Sequence, residues 1–357
     1  MSDRPRYEVV VVGGGPAGLT TALYATRLGH RTAAFDEQGG RHTAVRDVHN
    51  VYGVSEDVSG KQLSELAVRQ LEEYGGDFHP DAVERIERDD DGRFRVEASH
   101  ATVTAERVVL ATGFSDEEPG VPELRRFTGR GLHYCLHCDA YVLGDGPVFV
   151  LGHGDHAAEV AMLMLNFTAD VELLLNGADP EWSDETEERL RAHPVERIDT
   201  DVVSAFPADE DEDDPWLGGL RFADRSDREY LGGFAVYGKE YNTSLADSLG
   251  CELADDGAVA VDENFETSVE GVYAVGDVTH GQNQTSIAVG DGARAGIALH
   301  KDLRTYPLSR EELDSADDRP VPGAAGDVRA RMRRVRGLDE HAGLRWPAPE
   351  EGRVERE

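Results

Sequence analysis

The sequence has little positive charge and almost no lysine. Its 357 residues include 71 aspartates and glutamates against 36 lysines and arginines, so the formal net charge is −35. Lysine occurs only at positions 61, 239 and 301. Because such a charge repels polyanions, we expect neither nucleic acid nor an anionic membrane as a partner of the globular body. The acidic surface is typical of adaptation to high salt, where screening shortens the range of self-repulsion.

Long apolar runs and a disulfide framework are also missing. No run reaches the ~18 apolar residues of a membrane-spanning helix, and the segment before Gly13 has no apolar stretch long enough for a signal peptide. Three cysteines, at 135, 138 and 251, are too few for a disulfide framework. We therefore expect a cytoplasmic protein, in which the closely spaced Cys135 and Cys138 indicate metal binding or redox chemistry.

Two glycine-rich turns each stand between a predicted strand and a predicted helix. The first begins at Gly13, after the β-branched run at 7–12, and the second begins at Gly152, after an apolar strand at 147–151. A repeated strand–turn–helix unit predicts an α/β fold built from two Rossmann-like, three-layer dinucleotide-binding domains.

The first turn has the spacing of a phosphate-binding loop. Gly13 permits the tight turn, Gly15 lets a pyrophosphate approach the backbone, and Gly18 allows close packing of helix on strand. Asp36 ends the next strand, where a carboxylate binds ribose hydroxyls. We expect a dinucleotide here.

The second turn is ambiguous. Gly152, Gly154 and Asp155 fit a nucleotide-binding loop, but the residues after the following strand, Asn176 to Asp179, offer no arginine for a 2′-phosphate. The next basic residue is Arg189. Both a retained nicotinamide-nucleotide site and a structural remnant of one remain open.

Cys135 and Cys138 form a CxxC motif. Cysteines at this spacing at a helix start can form a disulfide, and the helix N-terminus together with His137 favours the reactive thiolate. Asp139 follows directly and could act as a general acid or base. Since no second CxxC is present, we expect redox chemistry and no metal site, with Cys251 as a structural thiol.

Together these motifs resemble the low-molecular-weight thioredoxin reductases, a family of FAD-dependent pyridine nucleotide-disulfide oxidoreductases. The resemblance covers about residues 7–303. It rests on GGGPAG at 13–18, NVYG at 50–53, ATG at 111–113, CLHCD at 135–139, GVYAVGD at 271–277, Gln284 and GDG at 290–292. With the acidic composition, it suggests a source in a halophilic archaeon.

The resemblance implies a domain inserted into another domain. The FAD-binding domain would comprise 1–115 and 243–303, and a CxxC-bearing, NAD(P)-binding-like domain would occupy 116–242. Beyond the resemblance, the weak pattern of residues 304–357, rich in Pro, Gly, Asp and Arg, predicts a flexible tail with at most one short helix. The family also implies a homodimer, FAD as cofactor, and NAD(P)H as a possible electron donor.

The resemblance further assigns roles by position. Asp277 would hold the ribityl chain of the flavin, Cys138 would face the flavin, Cys135 would attack the partner disulfide, and Asp139 would donate the proton. The other cofactor-binding positions implied are Arg41, Asn50, Thr112, Gly113, Gly276 and Gln284. Arg41 departs from the glutamine that the family commonly has there.

The sequence therefore predicts a thioredoxin-reductase-like dithiol/disulfide oxidoreductase. Its partner would be a thioredoxin-like protein or a small dithiol or disulfide. Two alternatives remain open: an oxygen-dependent dithiol oxidase, and a non-catalytic redox sensor that holds FAD and docks an acidic partner through its arginine-rich tail.

Overall fold

The computed structural model describes residues 4–37, 39–144, 146–304, 311 and 326–336. Their contacts divide the chain into two compact units. Unit 1 comprises the described residues of 1–53, 57–114 and 241–357, and unit 2 comprises those of 54–56 and 115–240.

The helices and strands follow each other in a mixed order along both units. The strands are β1 (Arg6–Val12), β2 (Thr32–Phe35), β3 (Asp77–His79), β4 (Val83–Arg88), β5 (Phe94–Ala98), β6 (Thr102–Leu110), β7 (Phe114–Asp116), β8 (Leu132–His133), β9 (Val148–Leu151), β10 (Val171–Leu174), β11 (Glu196–Ile198), β12 (Val202–Pro207), β13 (Leu217–Phe222), β14 (Asp227–Glu229), β15 (Gly232–Ala235), β16 (Lys239–Tyr241) and β17 (Val272–Ala274). The helices are α1 (Pro16–Arg27), α2 (Gly60–Tyr74), α3 (Leu136–Asp139), α4 (Asp155–Met164), α5 (Asp184–Ala192), α6 (Ser244–Leu249), α7 (Thr285–Leu303) and α8 (Gly326–Arg336).

Unit 1 is built on a mixed sheet with a parallel half. The strand order is β3-β2-β1-β6-β5-β4, and β17 pairs with the C-terminal half of β6. Strands β1, β2, β3, β6 and β17 run parallel, whereas β5 pairs antiparallel with both β6 and β4. Strand β1 is buried on both faces because its valines alternate between two cores, with Val9 in one and Val10 in the other.

Small residues allow α1 and α7 to pack closely in unit 1. A side chain at Gly292 would meet the Ala17 carbonyl oxygen at 2.3 Å, and one at Gly296 would meet Tyr24 Cβ at 2.5 Å. The Thr21 hydroxyl donates a hydrogen bond to the Gly292 carbonyl across this contact, at 3.2 Å. The contact fixes both helices relative to the sheet and to the turns at their N-termini.

Unit 2 contains a fully parallel sheet of the order β11-β10-β9-β15-β8 and an antiparallel sheet of the order β12-β13-β14. Strands β9 and β15 are buried along their whole length. The remaining pair, β7 and β16, forms a two-stranded sheet. The parallel sheets and intervening helices confirm the predicted α/β class.

Helix α8 lies in the segment for which the sequence predicts a tail. Its Arg331 donates hydrogen bonds to the carbonyls of Gly29 and His30, just after α1, at 3.1 and 3.3 Å. Its Arg334 donates to the backbone carbonyls of Glu73 at 2.7 Å and Glu72 at 3.4 Å, in the last turn of α2. Carbonyls at a helix C-terminus lack intrahelical partners and carry partial negative charge, so guanidinium groups are favourable there.

We predict that these arginines stabilise unit 1. Arg334→Ala should lower the free energy of unfolding by about 0.5–1 kcal/mol, because the exposed helix end loses its charged donor. Urea denaturation measures this change. Arg329→Ala is the matched control, since Arg329 is exposed on the same helix and has no hydrogen bond within the described residues. Equal stabilities of the two variants would contradict the prediction.

Candidate functional site

The first glycine turn leaves open space at the N-terminus of α1. Gly13 has φ +112°, and a Cβ there would lie 2.2 Å from the Ala111 carbonyl oxygen. A Cβ at Gly18 would lie 2.0 Å from the Gly13 carbonyl oxygen, whereas nothing lies within 4 Å of one at Gly15. Gly13 and Gly18 are thus required by the packing of the chain itself. Gly15 is not, and its open surroundings fit the approach of a pyrophosphate.

Asp36 is fixed at the end of β2 by two backbone donors. The Gly14 amide donates to its Oδ2 at 2.5 Å, and the Gly39 amide donates to its Oδ1. The carboxylate is therefore held beside the turn, at the position where the sequence predicts that it binds the ribose hydroxyls.

Two of the implied flavin-binding residues meet although they are distant in sequence. The Asn50 side-chain amide nitrogen donates to Gln284 Oε1 at 2.8 Å. Gln284 is the N-cap residue of α7. The Thr112 hydroxyl donates to the Asn242 carbonyl at 2.7 Å, while the Asn242 side chain returns a bond to the Thr112 carbonyl at 2.9 Å. The structure thus places all four at loops that follow strands or precede helices of unit 1.

Gly113, Gly276 and Asp277 lie near one another. Gly113 and Gly276 have φ values of +65° and +68°, and a Cβ at Gly113 would lie 3.9 Å from Asp277 Cβ. Asp291, on α7, has a raised pKa because of its burial and the negative charge of Asp277. Arg41 places its guanidinium 4.9 Å from the centre of the Phe114 ring.

His42 is a candidate that the sequence did not single out. Both of its ring nitrogens are buried and lack a well-formed hydrogen bond among the described residues, although the Gly60 backbone lies close to the ring. Burial lowers the pKa of its imidazole, and the Gly60 backbone and the charge of nearby Asp277 partly oppose that shift. Buried polar atoms without partners are rare, so this pair of nitrogens, together with the open Gly15, fits a ligand such as FAD in unit 1.

The second glycine turn repeats the geometry of the first. A Cβ at Gly152 would lie 2.3 Å from the Val236 carbonyl oxygen, whereas Gly154 has nothing within 4 Å. Asp155 begins α4, and its Oδ1 accepts from the Ser183 amide at 3.1 Å and from the Thr186 hydroxyl at 2.5 Å. The bonds from Thr186 and Ser183 lower the pKa of Asp155, so a negative charge stands at this helix N-terminus.

The segment after β10 lies against the second turn. The Glu181 amide donates to the His153 carbonyl at 2.7 Å, and Glu181 Oε2 is 3.7 Å from His153 Nε2. Asn176 is engaged inside unit 2, since its Oδ1 accepts from the Val202 amide at 2.8 Å. Arg189, the first basic residue that follows, pairs with Glu185.

The CxxC motif forms a disulfide at the start of a short helix. Cys135 and Cys138 are bonded with their Cα atoms 5.4 Å apart. Cys135 is the N-cap of α3, and its carbonyl accepts from the amides of Cys138 and Asp139, each at 3.2 Å. The structure therefore places the two sulfurs and the Asp139 backbone in one helical turn. Cys251 is buried in unit 1, which raises the pKa of its thiol.

Asp139 has a neighbour that sequence reasoning missed. His133 Nδ1, on strand β8, lies 3.3 Å from Asp139 Oδ2, and the His133 side chain is only 6% exposed. The two residues are separated along the chain by the cysteine motif, and no motif marks the histidine. The contact arises because β8 and α3 are joined by a single short turn.

Within the described residues, no helix is both long and apolar enough to cross a membrane. The same residues contain no group of three or more histidine, cysteine, aspartate or glutamate side chains placed to hold a metal ion.

Comparisons with known proteins give a consistent result. A family model described as pyridine nucleotide-disulphide oxidoreductase matches residues 7–292. Thioredoxin reductase from Peptoclostridium litorale is 28% identical over 307 residues, which cover 83% of this chain and 96% of that protein. An alkyl hydroperoxide reductase component from Pseudomonas putida is 32% identical over 315 residues, which cover 85% of this chain and 59% of that protein. The chain thus spans about three fifths of the latter and nearly all of the former.

Solved structures agree with the sequence comparisons. The crystal structure of thioredoxin reductase from Streptococcus pyogenes MGAS5005 aligns with a TM-score of 0.77 at 28% identity and covers 84% of this chain and 99% of that one. These findings confirm the predicted family resemblance and fold class.

We predict that a side chain at position 15 blocks the cofactor. Gly15→Val should lower the FAD content of the purified protein at least tenfold, a loss of ~1.4 kcal/mol, because the valine fills the open space at α1. Flavin absorbance per protein after desalting gives the content. Gly154→Val makes the same change in the second turn and should retain FAD. A folded Gly15→Val protein with full FAD would contradict the assignment.

Proposed function

The chain belongs to the pyridine nucleotide-disulphide oxidoreductase family, and on this basis we propose that it reduces the disulfide of a thioredoxin-like protein through Cys135 and Cys138. Membership makes it an FAD-dependent oxidoreductase, as predicted. The observation that carries the proposal is the Cys135–Cys138 disulfide at the start of α3. The named relatives are reductases, which does not favour the oxidase or sensor alternatives.

FAD, when bound, supplies two-electron transfer that the side chains of the protein cannot perform. We assign its binding to unit 1. The amides at Gly15 would face the pyrophosphate, and Asp36 would accept from the ribose hydroxyls. Further contacts are assigned to Gly13, Gly18, Arg41, Asn50, Thr112, Gly113, Gly276, Asp277 and Gln284.

The reduced cysteine pair performs the thiol chemistry. The Cys135 thiolate attacks one sulfur of the partner disulfide, whose S–S bond breaks as a mixed disulfide forms. The Cys138 thiolate then attacks the Cys135 sulfur, so the internal disulfide forms again and the second partner thiolate leaves. The partner gains two electrons and the cysteine pair loses two.

Asp139 provides a proton for this exchange. Each partner sulfur leaves as a thiolate, and an alkyl thiolate whose thiol has a pKa of about 8.5 is a poor leaving group unless it is protonated. We assign this proton transfer to the Asp139 carboxyl, which immediately follows Cys138 and can regain a proton from solvent, since its side chain is 22% exposed.

We assign pyridine-nucleotide binding to the second turn of unit 2, with Gly152, Gly154 and Asp155. Residues 176–188 contain no lysine or arginine, and Glu181 lies directly against the turn. A 2′-phosphate would meet carboxylates there in place of guanidinium groups. The arrangement therefore favours NADH over NADPH.

Replacing either redox cysteine should stop turnover. We expect Cys138→Ser to lower the rate of thioredoxin reduction by at least about a hundredfold, because the internal disulfide can no longer form. The assay is a steady-state rate at molar salt with matched flavin content. Cys251→Ser is the control and should retain the rate, since Cys251 is buried. Full activity of Cys138→Ser would contradict the assignment.

The nucleotide preference is tested by anaerobic reduction of the flavin. NADH should bleach the flavin at least tenfold faster than NADPH at equal concentration, a difference of ~1.4 kcal/mol. Glu181→Gln should narrow this ratio, because it removes a negative charge beside the turn while keeping the side-chain shape. Faster bleaching by NADPH in the unchanged protein would overturn the preference.

The cellular setting follows from the same proposal. A pair of cysteines that must be regenerated as thiols is suited to a reducing compartment, so we place the protein in the cytoplasm. The homodimer is a separate proposal, carried over from the family resemblance. The charge of −35 suits a halophilic archaeal cytoplasm, where salt screens repulsion between surface carboxylates. A small dithiol or disulfide could serve in place of thioredoxin.

A further inference from the structure

His133 is held in a buried position beside the cysteine motif. Its backbone lies in strand β8, where it pairs with Phe234 of β15. Its ring packs between Trp216 and Phe234, with ring centres 6.3 and 6.0 Å away. The side chain is 6% exposed. Such packing fixes the ring orientation, so the direction in which each nitrogen points is determined by the fold.

One ring nitrogen faces a carboxylate and the other faces no partner. His133 Nδ1 is 3.3 Å from Asp139 Oδ2, whereas Nε2 is buried and has no hydrogen-bond partner in the described part of the chain. A nitrogen beside a carboxylate is favourable only when it carries a hydrogen. The geometry therefore points to a hydrogen on Nδ1 that is directed at Asp139 Oδ2.

Strand β15, which pairs with β8, brings no charge to this ring. Strand β15 presents Gly232, Gly233, Phe234 and Ala235, none of which titrates. The indole nitrogen of Trp216 donates to the Leu231 carbonyl at 2.6 Å and is not available to His133. On the side of the cysteine motif, His137 is exposed. Asp139 is thus the only carboxylate within 4 Å of the His133 ring nitrogens among the described residues.

We propose that His133 is a positioning residue that orients the Asp139 carboxyl for proton transfer to the leaving thiolate. This inference rests on the proposed thiol–disulfide exchange. The imidazole holds Oδ2 through Nδ1 and so leaves the other oxygen, Oδ1, for the proton. When Cys135 attacks a disulfide, the S–S bond breaks, the proton moves from Asp139 to the departing sulfur, and Asp139 remains as a carboxylate stabilised by the Nδ1 hydrogen.

The test separates proton transfer from attack by the choice of leaving group. An aromatic disulfide of nitrobenzoate releases a stabilised thiolate that needs no proton, whereas oxidised glutathione releases a basic alkyl thiolate that does. The full-length protein, reduced with dithiothreitol and desalted under argon, is mixed with each disulfide. The single-turnover rate is measured for both. The rate with oxidised glutathione divided by the rate with the aromatic disulfide reports proton donation.

Two variants of equal shape provide the comparison. His133→Leu and His133→Asn both replace the ring by a small branched side chain, but only asparagine places a donor nitrogen where Nδ1 stood. His133→Leu should slow the reaction with oxidised glutathione about tenfold relative to the aromatic disulfide, and His133→Asn should keep the ratio of the unchanged protein. Equal ratios in the two variants would overturn the proposal, because the histidine would then act only through packing.

A double-mutant cycle shows whether His133 acts through Asp139. Asp139→Asn should reduce the ratio of the glutathione rate to the aromatic-disulfide rate. Adding His133→Leu to Asp139→Asn should not reduce this ratio further. Independent, multiplicative losses would contradict the proposal. If the leucine variant does not fold, His133→Met replaces it as the apolar counterpart of His133→Asn. Failure of the proposed function shows separately, since reduced Cys135→Ser would then react as fast as the unchanged protein with both disulfides.

Discussion

The close approach of backbone to backbone at Gly13 is the constraint on which unit 1 depends. A Cβ at this residue would lie 2.2 Å from the Ala111 carbonyl oxygen, so only glycine lets β1 turn into α1 beside β6. The turn aims the N-terminus of α1 at open space near Gly15 and brings Asp36 within reach of the loop amides. A helix N-terminus with free amides attracts phosphate. The geometry that closes the fold is thus the geometry that fits a dinucleotide.

Unit 2 uses the same constraint at Gly152 but surrounds it differently. The space beside Gly154 is open, as it is beside Gly15, yet the neighbouring carboxylates of Asp155 and Glu181 make it a poor site for an additional phosphate. The acidity that defines the whole sequence therefore reaches a functional position here. The acidic composition of the chain thus bears on nucleotide specificity at this turn. By contrast, the aromatic rings packed around His133 carry no charge.

Features that depend on the backbone were predictable from the sequence, and those that depend on side-chain partners were not. Glycine spacing and a β-branched run identify a strand, turn and helix, because few residues tolerate those conformations. The orphaned nitrogens of His42 and the contact of His133 with Asp139 leave no such mark. Neither does the use of arginines in α8 as donors to two helix ends. These features require knowledge of which elements become neighbours in space, and one sequence does not contain it.

Electrons from a pyridine nucleotide should reach Cys135 and Cys138 and no other cysteine, and counting thiols tests this most directly. The FAD-loaded protein is treated anaerobically with excess NADH, alkylated under denaturing conditions, and analysed peptide by peptide by mass spectrometry. We expect two new thiols per chain, at Cys135 and Cys138, with Cys251 unchanged from the untreated protein. Bleached flavin together with an intact Cys135–Cys138 disulfide would contradict this route for the electrons.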